Sequence, residues 1–493
     1  MTDSLLTCAA LLDAVHGSIA GGRSVCAEQC AFTSVTTDSR RVVPQSLFVP
    51  LMGEKQNGHA YIPQAIENGA SVILLNRDEY EKKRGDYDAL AKNHPAVAFI
   101  IVEHTLHALQ HAAAAYVRNF PHLKKIGITG SSGKTTTKEL CVAVLKQRYR
   151  VVCNEGNLNS ETGLPLSVFN IRSNDEVGVF EMGMNRKDEI AEIASVLKPQ
   201  YALVTNIGTA HVGMLGSREN IAREKRRIFD HLPADGVAFI PQADDFASFL
   251  AENVKGKVIY FGSSSTDEAR GVQKAPGGVE FISDNGTRGT TFKVGNEIIN
   301  FALPGKYNYE NALAAVALGT YFGISDSAIK TALESFVALA GRSQTETLVL
   351  KNGCAVTLVK DCYNANPEST ADVLAFCASV RDCGNRIYVL GDMLELGDAA
   401  QAAHEAIGRK AARAHPYRIV FIGSSMKYAF AAARDAGFAD ALYIEQSSDE
   451  AMQQAAEYIV ANSSDGDLLL LKASRGLSFE RLIPLIAQEA RHG

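Results

Sequence analysis

Short apolar runs alternate with helical stripes along most of the chain. SLFVPL (46–51) and ASVILLN (70–76) are continuous apolar runs too short for helices, and they predict strands. Between them Ile62, Ala65 and Ile66 share one face of a helix that ends at Gly69. AVAFIIVE (96–103) predicts a buried strand, and a helix follows over residues 105–120 until Pro121 stops it. The pattern then resumes with KKIGITG (124–130), a helix over 134–149, and strands at VGVFEMG (177–183), YALVTNIG (201–208) and VAFIP (237–241). Strand–helix alternation of this kind predicts parallel sheets covered by helices.

Two stretches break the rhythm. From 258 to 301 the runs VIYFG, GVEFI, TTFKV and EIINFAL are short and separated by Gly, Asn and Asp, which predicts a small antiparallel insert. After residues 339–343 the alternation restarts with AVTLVKD (355–361), RIYVLGD (386–392), RIVFIG (418–423), ALYI (441–444) and DLLLLKA (467–473). Five strands over that length make one open Rossmann-like sheet. The expected architecture is therefore α/β in three domains, 1–121, 122–339 and 340–493, with a central P-loop parallel sheet flanked by an N-terminal α/β domain and a C-terminal Rossmann-like domain.

Composition narrows the classes without changing this picture. Hydrophobic residues make up 46% and charged residues 21% of the 493, which excludes a disordered tail, a collagen-like repeat and a coiled-coil rod. The formal charge of −6 argues against a general nucleic-acid binder, which needs a basic surface to neutralise phosphates. No apolar run reaches membrane-spanning length, and the N-terminal segment lacks the basic start of a signal peptide. Nine Cys without a CxxC pair, Cys26 and Cys30 being the nearest two, read as free thiols of a reducing cytoplasm.

The clearest chemistry lies in TGSSGKTTT (129–137), between a strand and a helix. Gly130, Ser131, Ser132 and Gly133 form a loop whose backbone can approach phosphate closely, with the helix N-terminus behind it. Lys134 supplies a positive charge to terminal phosphates, and the hydroxyl of Thr135 suits Mg²⁺. Ile128 stands where the strict P-loop pattern has its first Gly.

Glu181 and His211 each follow an apolar strand, at the carboxyl ends where open parallel sheets bind ligands. Lys225 shares a helical stripe with Ile221, Ile228 and Phe229 while Arg223, Arg226 and Arg227 flank it. Burial and basic neighbours both lower a lysine pKa. A neutral amine can take up CO₂ to give a carbamate anion. The competing reading is a lysine that snorkels to the rim of the apolar face.

The loop, Glu181, His211 and Lys225, in this order, resemble the Mur ligase superfamily of ATP-dependent amide-forming enzymes of peptidoglycan synthesis. Further matching segments span the chain: TDSRRVVPQSLFVPL (37–51), NEGNLNSETGLPLS (154–167), LPGKYNYENALAA (303–315), DCYNANPEST (361–370), LGDMLELG (390–397) and KASR (472–475). NLN, YNANP and GDMLELG point to the members that add D-alanyl-D-alanine to UDP-N-acetylmuramoyl-tripeptide.

The resemblance implies ATP, two Mg²⁺ ions and CO₂ as a carbamate on Lys225. Lys134 and Thr136 belong to its phosphate loop; Thr135 and Glu181 would hold one Mg²⁺, His211 and Lys225 the second. Asn308, Asn311, Arg342 and Asp361 fall in nucleotide-facing segments. Ser39 and Arg40 fall in the uridine-nucleotide region, and Asn157, Asn159, Tyr363, Asn364, Asn366, Lys472, Ser474 and Arg475 in segments facing substrate. A cytoplasmic monomer that binds neither nucleic acid nor membrane is expected. Tyr307, Asn57, Ser160 and Ala473 depart from common family residues without removing an implied metal ligand. Two rivals remain: a family relative with another amine, and a nucleotide sensor that makes no product.

Overall fold

The structure is a computed structural model that describes residues 4–20, 32–53, 56–262 and 278–488. Cys26, Cys30 and part of the expected insert lie outside the described residues.

Three main sheets follow one another along the chain. The first contains β1 (Ser18–Ile19), β2 (Ser34–Thr36), β3 (Ser46–Phe48), β4 (Ala70–Asn76) and β5 (Ala98–Val102), in the order β1-β5-β4-β3-β2. All pairs are parallel except β1 with β5. Its central strands are apolar on both faces because helices cover both sides: Val72, Ile73, Leu74 and Leu75 are all fully buried.

The helix Thr105–Val117 joins this sheet to the next. Leu109, Ala112 and Ala113 are fully buried, and the small alanines let the helices Gly163–Val168 and Glu189–Leu197 approach closely. Tyr116 Oη donates to the Ile171 carbonyl at 2.6 Å. Gln110 Nε2 donates to the Glu161 carbonyl at 3.1 Å. The first two sheets thus share one continuous apolar core, in which each fully buried aliphatic side chain contributes about 2 kcal/mol.

The second sheet holds β6 (Lys124–Thr129), β7 (Val151–Cys153), β8 (Val177–Glu181), β9 (Tyr201–Val204), β10 (Val237–Pro241) and β11 (Lys257–Phe261). All are parallel, in the order β11-β10-β9-β6-β8-β7. The chain leaves β6 for one side of the sheet and later crosses to the other, so the carboxyl end of β6 opens into a crevice. The run VIYFG was expected in the antiparallel insert. It forms most of β11 instead, because parallel pairing with β10 buries Ile259 and Phe261 in the main core. The insert itself is a meander of β12 (Val279–Asp284), β13 (Thr290–Val294) and β14 (Glu297–Phe301).

The third sheet holds β15 (Gln344–Val349), β16 (Ala355–Lys360), β17 (Arg386–Gly391), β18 (Arg418–Ile422), β19 (Ala441–Ile444) and β20 (Leu468–Lys472). Its order is β15-β16-β20-β17-β18-β19. The five strands expected from the apolar pattern are parallel. The sixth, β15, is an antiparallel edge strand rich in Thr and Glu. Among the described residues no helix is long and apolar enough to cross a membrane.

Candidate active site

A cleft of 1180 Å³ lies between the second and third sheets. One wall carries the loop after β6. Two glycines are required there. A Cβ on Gly130 would lie 1.8 Å from Thr205 Oγ1, and one on Gly133, whose φ is +73°, would lie 2.4 Å from Asn311 Oδ1.

The loop is strapped by a residue that the sequence patterns did not single out. Asn206 accepts from Ser131 N at its carbonyl and from Ser132 N at its side chain, both at 3.0 Å, and returns a bond to the Ser132 carbonyl. These two loop N–H groups are therefore used internally. The groups left to an anion are those of the first turn of the helix Lys134–Leu145, which have no intrahelical partner. Lys134 Nζ donates to the Gly130 carbonyl at 2.9 Å. Burial pulls its ammonium below the ordinary lysine range, against the opposing charge of Glu181.

Glu181 ends β8 and is almost wholly buried. Asn159 Nδ2 donates to its Oε1, while Oε2 has no hydrogen-bond partner among the described residues. Lys225 lies on the helix Arg218–Arg226 with its side chain fully buried and Nζ likewise without a partner. Its pKa falls well below the ordinary value, first through desolvation and then through the charge of Lys134. The flanking arginines were expected to supply that like charge. They are engaged elsewhere: Arg223 with Asn220, Arg226 with the Glu252 carbonyl, and Arg227 with Asp188.

His211 adopts a left-handed conformation with φ +66°, uncommon for a residue with a Cβ and frequent at functional sites. Its Nδ1 lies 3.0 Å from Glu395 Oε2 across the cleft. Thr209 donates from N at 2.7 Å and from Oγ1 at 3.0 Å to the Glu368 carboxylate, which also belongs to the opposite wall. Gly213 and Gly397 touch so closely that a Cβ on Gly213 would lie 2.4 Å from Gly397 N. Asn206, Glu368 and Glu395 were not among the expected site residues, although Glu368 and Glu395 lie within the matching segments 361–370 and 390–397.

The opposite wall is internally bonded. Asp361 accepts from Ser343 N at 3.0 Å and from Lys472 Nζ at 2.6 Å. Lys472 also donates to the Asn364 carbonyl at 2.9 Å. Arg342 stacks 4.0 Å over the Tyr363 ring. Asn366 caps the helix Pro367–Ser379 by accepting from Ser369 N. Ser474 Oγ accepts from Leu394 N at 3.0 Å. Arg475 pairs with Glu480 at 2.7 Å. On the phosphate-loop side, Asn308 Nδ2 donates to the Pro304 carbonyl at 2.8 Å, and Asn311 accepts from Thr137 Oγ1 at 3.1 Å.

The cleft thus gathers Ser131–Thr136, Asn157, Asn159, Glu181, His211, Asn308, Asn311, Arg342, Asp361, Tyr363, Asn364, Asn366, Lys472, Ser474 and Arg475. Lys225 lies beneath its surface. Ser39 and Arg40 do not line it: Ser39 Oγ donates to Gln64 Oε1, and Arg40 pairs with Asp38 on the first domain. Among the described residues no three His, Cys, Asp or Glu side chains form a ready metal cluster. The partnerless Glu181 Oε2 and the Thr135 hydroxyl still fit a hard cation that takes its remaining ligands from phosphate and water.

Fold and site together define a nucleotide-binding α/β protein whose phosphate loop works against a separate C-terminal sheet. Residues 31–117, 128–319 and 341–475 match, in turn, the models for the Mur ligase family catalytic domain, the Mur ligase middle domain and the Mur ligase glutamate ligase domain. The chain belongs to the Mur ligase family. It is 39% identical to the UDP-N-acetylmuramoyl-tripeptide–D-alanyl-D-alanine ligase of Treponema pallidum, over 97% of this chain and 99% of that one. It is 34% identical to the Bacillus subtilis protein of the same name, over 92% and 93%. A MurF crystal structure from Acinetobacter baumannii superposes with a TM-score of 0.79 at 26% identity, covering 97% and 98% of the two chains.

Proposed function

We propose that this chain is an ATP-dependent ligase that joins D-alanyl-D-alanine to UDP-N-acetylmuramoyl-tripeptide in peptidoglycan precursor synthesis, through an acyl phosphate, with release of ADP and phosphate. The observation that carries the chemistry is the convergence of the phosphate loop and the partnerless carboxylate oxygen of Glu181 at one cleft, with the buried, partnerless amine of Lys225 beneath it. Relatives of the same name matched over nearly their whole length support the substrates.

A free carboxylate is a poor acyl donor because oxide is a poor leaving group. Phosphorylation at the tripeptide terminus replaces that leaving group with phosphate. The first turn of the helix Lys134–Leu145 and the Lys134 ammonium bind the nucleotide phosphates and hold negative charge as the γ-phosphoryl moves. Thr135 and Glu181 would hold one Mg²⁺ with those phosphates, and His211 with carbamylated Lys225 a second. The positive charge so supplied reduces repulsion between the two reacting anions. Lys225 suits carbamylation because burial pulls its amine toward the neutral form: nitrogen bonds to the CO₂ carbon, one proton leaves, and the product is an anion. The amine of D-alanyl-D-alanine then attacks the acyl carbon, and phosphate departs.

In this reading residues 1–121 bind the UDP sugar, with Ser39 and Arg40 in that region. Residues 122–339 bind ATP, with Asn308 and Asn311 along the base. Residues 340–493 complete the nucleotide site through Arg342 and Asp361 and receive the dipeptide. The contacts of Thr209 with Glu368 and of Gly213 with Gly397 seal one side of the cleft, which keeps water from the acyl phosphate. Both cleft walls come from one chain, which suits a monomer, and the need for ATP suits a cytoplasmic reaction. Phosphate release that requires both substrates, with mass spectrometry of the product across tripeptides and amines, tests the proposal. A sensor releases none, and a relative demands a different amine.

A further inference from the structure

Lys138 sits one turn beyond Lys134 on the phosphate-loop helix. Its side chain is fully buried and does not line the cleft. Nζ donates to the Asn154 carbonyl at 2.6 Å and pairs with Glu139 Oε1 at 2.7 Å. Burying an ammonium is costly, and a methionine would fill the same space without that cost. What the lysine adds is the bond it makes.

That bond ends on a residue doing an unusual job. β7 stops at Cys153, opposite Val179, so Glu181 lies beyond the last paired residue on that side. The Asn154 side chain takes the place of the absent strand neighbour. Its Oδ1 accepts from Glu181 N at 2.9 Å, and its Nδ2 donates to the Glu181 carbonyl at 3.0 Å and the Leu158 carbonyl at 2.8 Å. Asn159, on the same turn, binds Glu181 Oε1. Every polar atom of the Glu181 unit is then held, apart from the Oε2 without a partner.

We propose that Lys138 is a positioning residue for Glu181: by pinning the Asn154 main chain it locks the side-chain clamp that aims the carboxylate at the cation beside the nucleotide phosphates. The inference rests on the ligase reading above. It makes the phosphate-loop helix and the candidate metal carboxylate parts of one rigid unit.

The test is calorimetric titration of ADP into the full chain at a series of Mg²⁺ concentrations, without turnover. In Lys138→Met the Mg²⁺ concentration that half-saturates the enhancement of ADP binding rises about tenfold or more, as for loss of an outer-shell support. ADP binding in the absence of Mg²⁺ is unchanged. A purely structural role lowers the melting temperature and leaves the Mg²⁺ requirement alone. Asn154→Ala removes the same clamp from its other end, is expected to shift the requirement likewise, and carries the test if Lys138→Met does not fold. A wild-type Mg²⁺ requirement in the folded variant overturns the proposal. Wild-type chain whose ADP binding ignores Mg²⁺ removes the ligase reading, and the positioning role with it.

Discussion

His211 and Glu395 meet across the cleft with both backbones in the left-handed region, at φ +66° and +65°. Their side chains lie 3.0 Å apart at Nδ1 and Oε2, and His211 holds the Glu395 carboxyl below its usual range. That contact occupies the Nδ1 side of the ring and leaves Nε2 as the nitrogen available to a cation. His211→Ala is expected to raise the Mg²⁺ concentration needed for ligation, and Glu395→Gln to raise it less. Mg²⁺ titrations of initial rate check this, and an unchanged curve in His211→Ala excludes ligation there.

Glu368 holds Thr209 through two hydrogen bonds from the other domain. Hydrogen bonds to a charged group are worth about 1.5–3 kcal/mol each, so Glu368→Ala should lower kcat about tenfold or more. The KM for ATP should stay near wild type, because Glu368 acts on domain docking. Small-angle scattering with nucleotide and UDP-tripeptide bound should show a larger radius of gyration for the variant. Equal kcat and equal radius would count against the latch.

Lys225→Ala is expected to lose nearly all amide formation while still binding nucleotide. Short carboxylates, small enough to enter the space left by the side chain, should restore part of the rate if a carbamate is the working group. Full activity without any additive removes the carbamate from the mechanism.

Gly133→Ala places a Cβ against Asn311 at a left-handed position. The backbone strain alone costs roughly 1–2 kcal/mol. Differential scanning fluorimetry should show a lower melting temperature, and ADP should no longer raise it. Retained stabilisation by ADP would mean that the loop tolerates a side chain there.

His59, in the first domain, is buried, accepts from Asn76 N at Nε2, and has its pKa pulled down to about 4 by desolvation. Its folded pKa lies below the unfolded value, so its contribution to stability is complete above about pH 6.5 and declines as pH falls toward 4. The loss over that window is about 3 kcal/mol for a fully neutral buried ring. Melting temperature against pH should fall more steeply for wild type than for His59→Gln, which keeps an acceptor without a titrating group.

The strands legible in the sequence are those buried on both faces, such as β4, β6 and β20, whose apolar runs admit no other placement. β15 was not legible, because an edge strand with exposed Thr and Glu carries no apolar signal. VIYFG was legible as a strand but not as a partner of β10, since pairing is decided by contacts far apart in the chain. The phosphate loop and Glu181 stood out because strand, turn and helix signals coincide around them. Asn206, Glu368 and Glu395 did not. An Asn or Glu in a loop, or at the start of a helix as Glu368 is, looks like any solvated residue until the fold brings its partner within 3 Å. Asn366 carries a second role that its motif did not show: it lines the cleft and also caps a helix.

The apolar seam around Leu109 and Tyr116 makes the first two domains a single stiff frame. If the sugar nucleotide is anchored at one end of that frame and phosphoryl transfer occurs at the other, the spacing between them cannot adjust to the guest. Acceptor length is then read as on a ruler: a stem one residue too short never reaches the γ-phosphoryl, however well its head group binds.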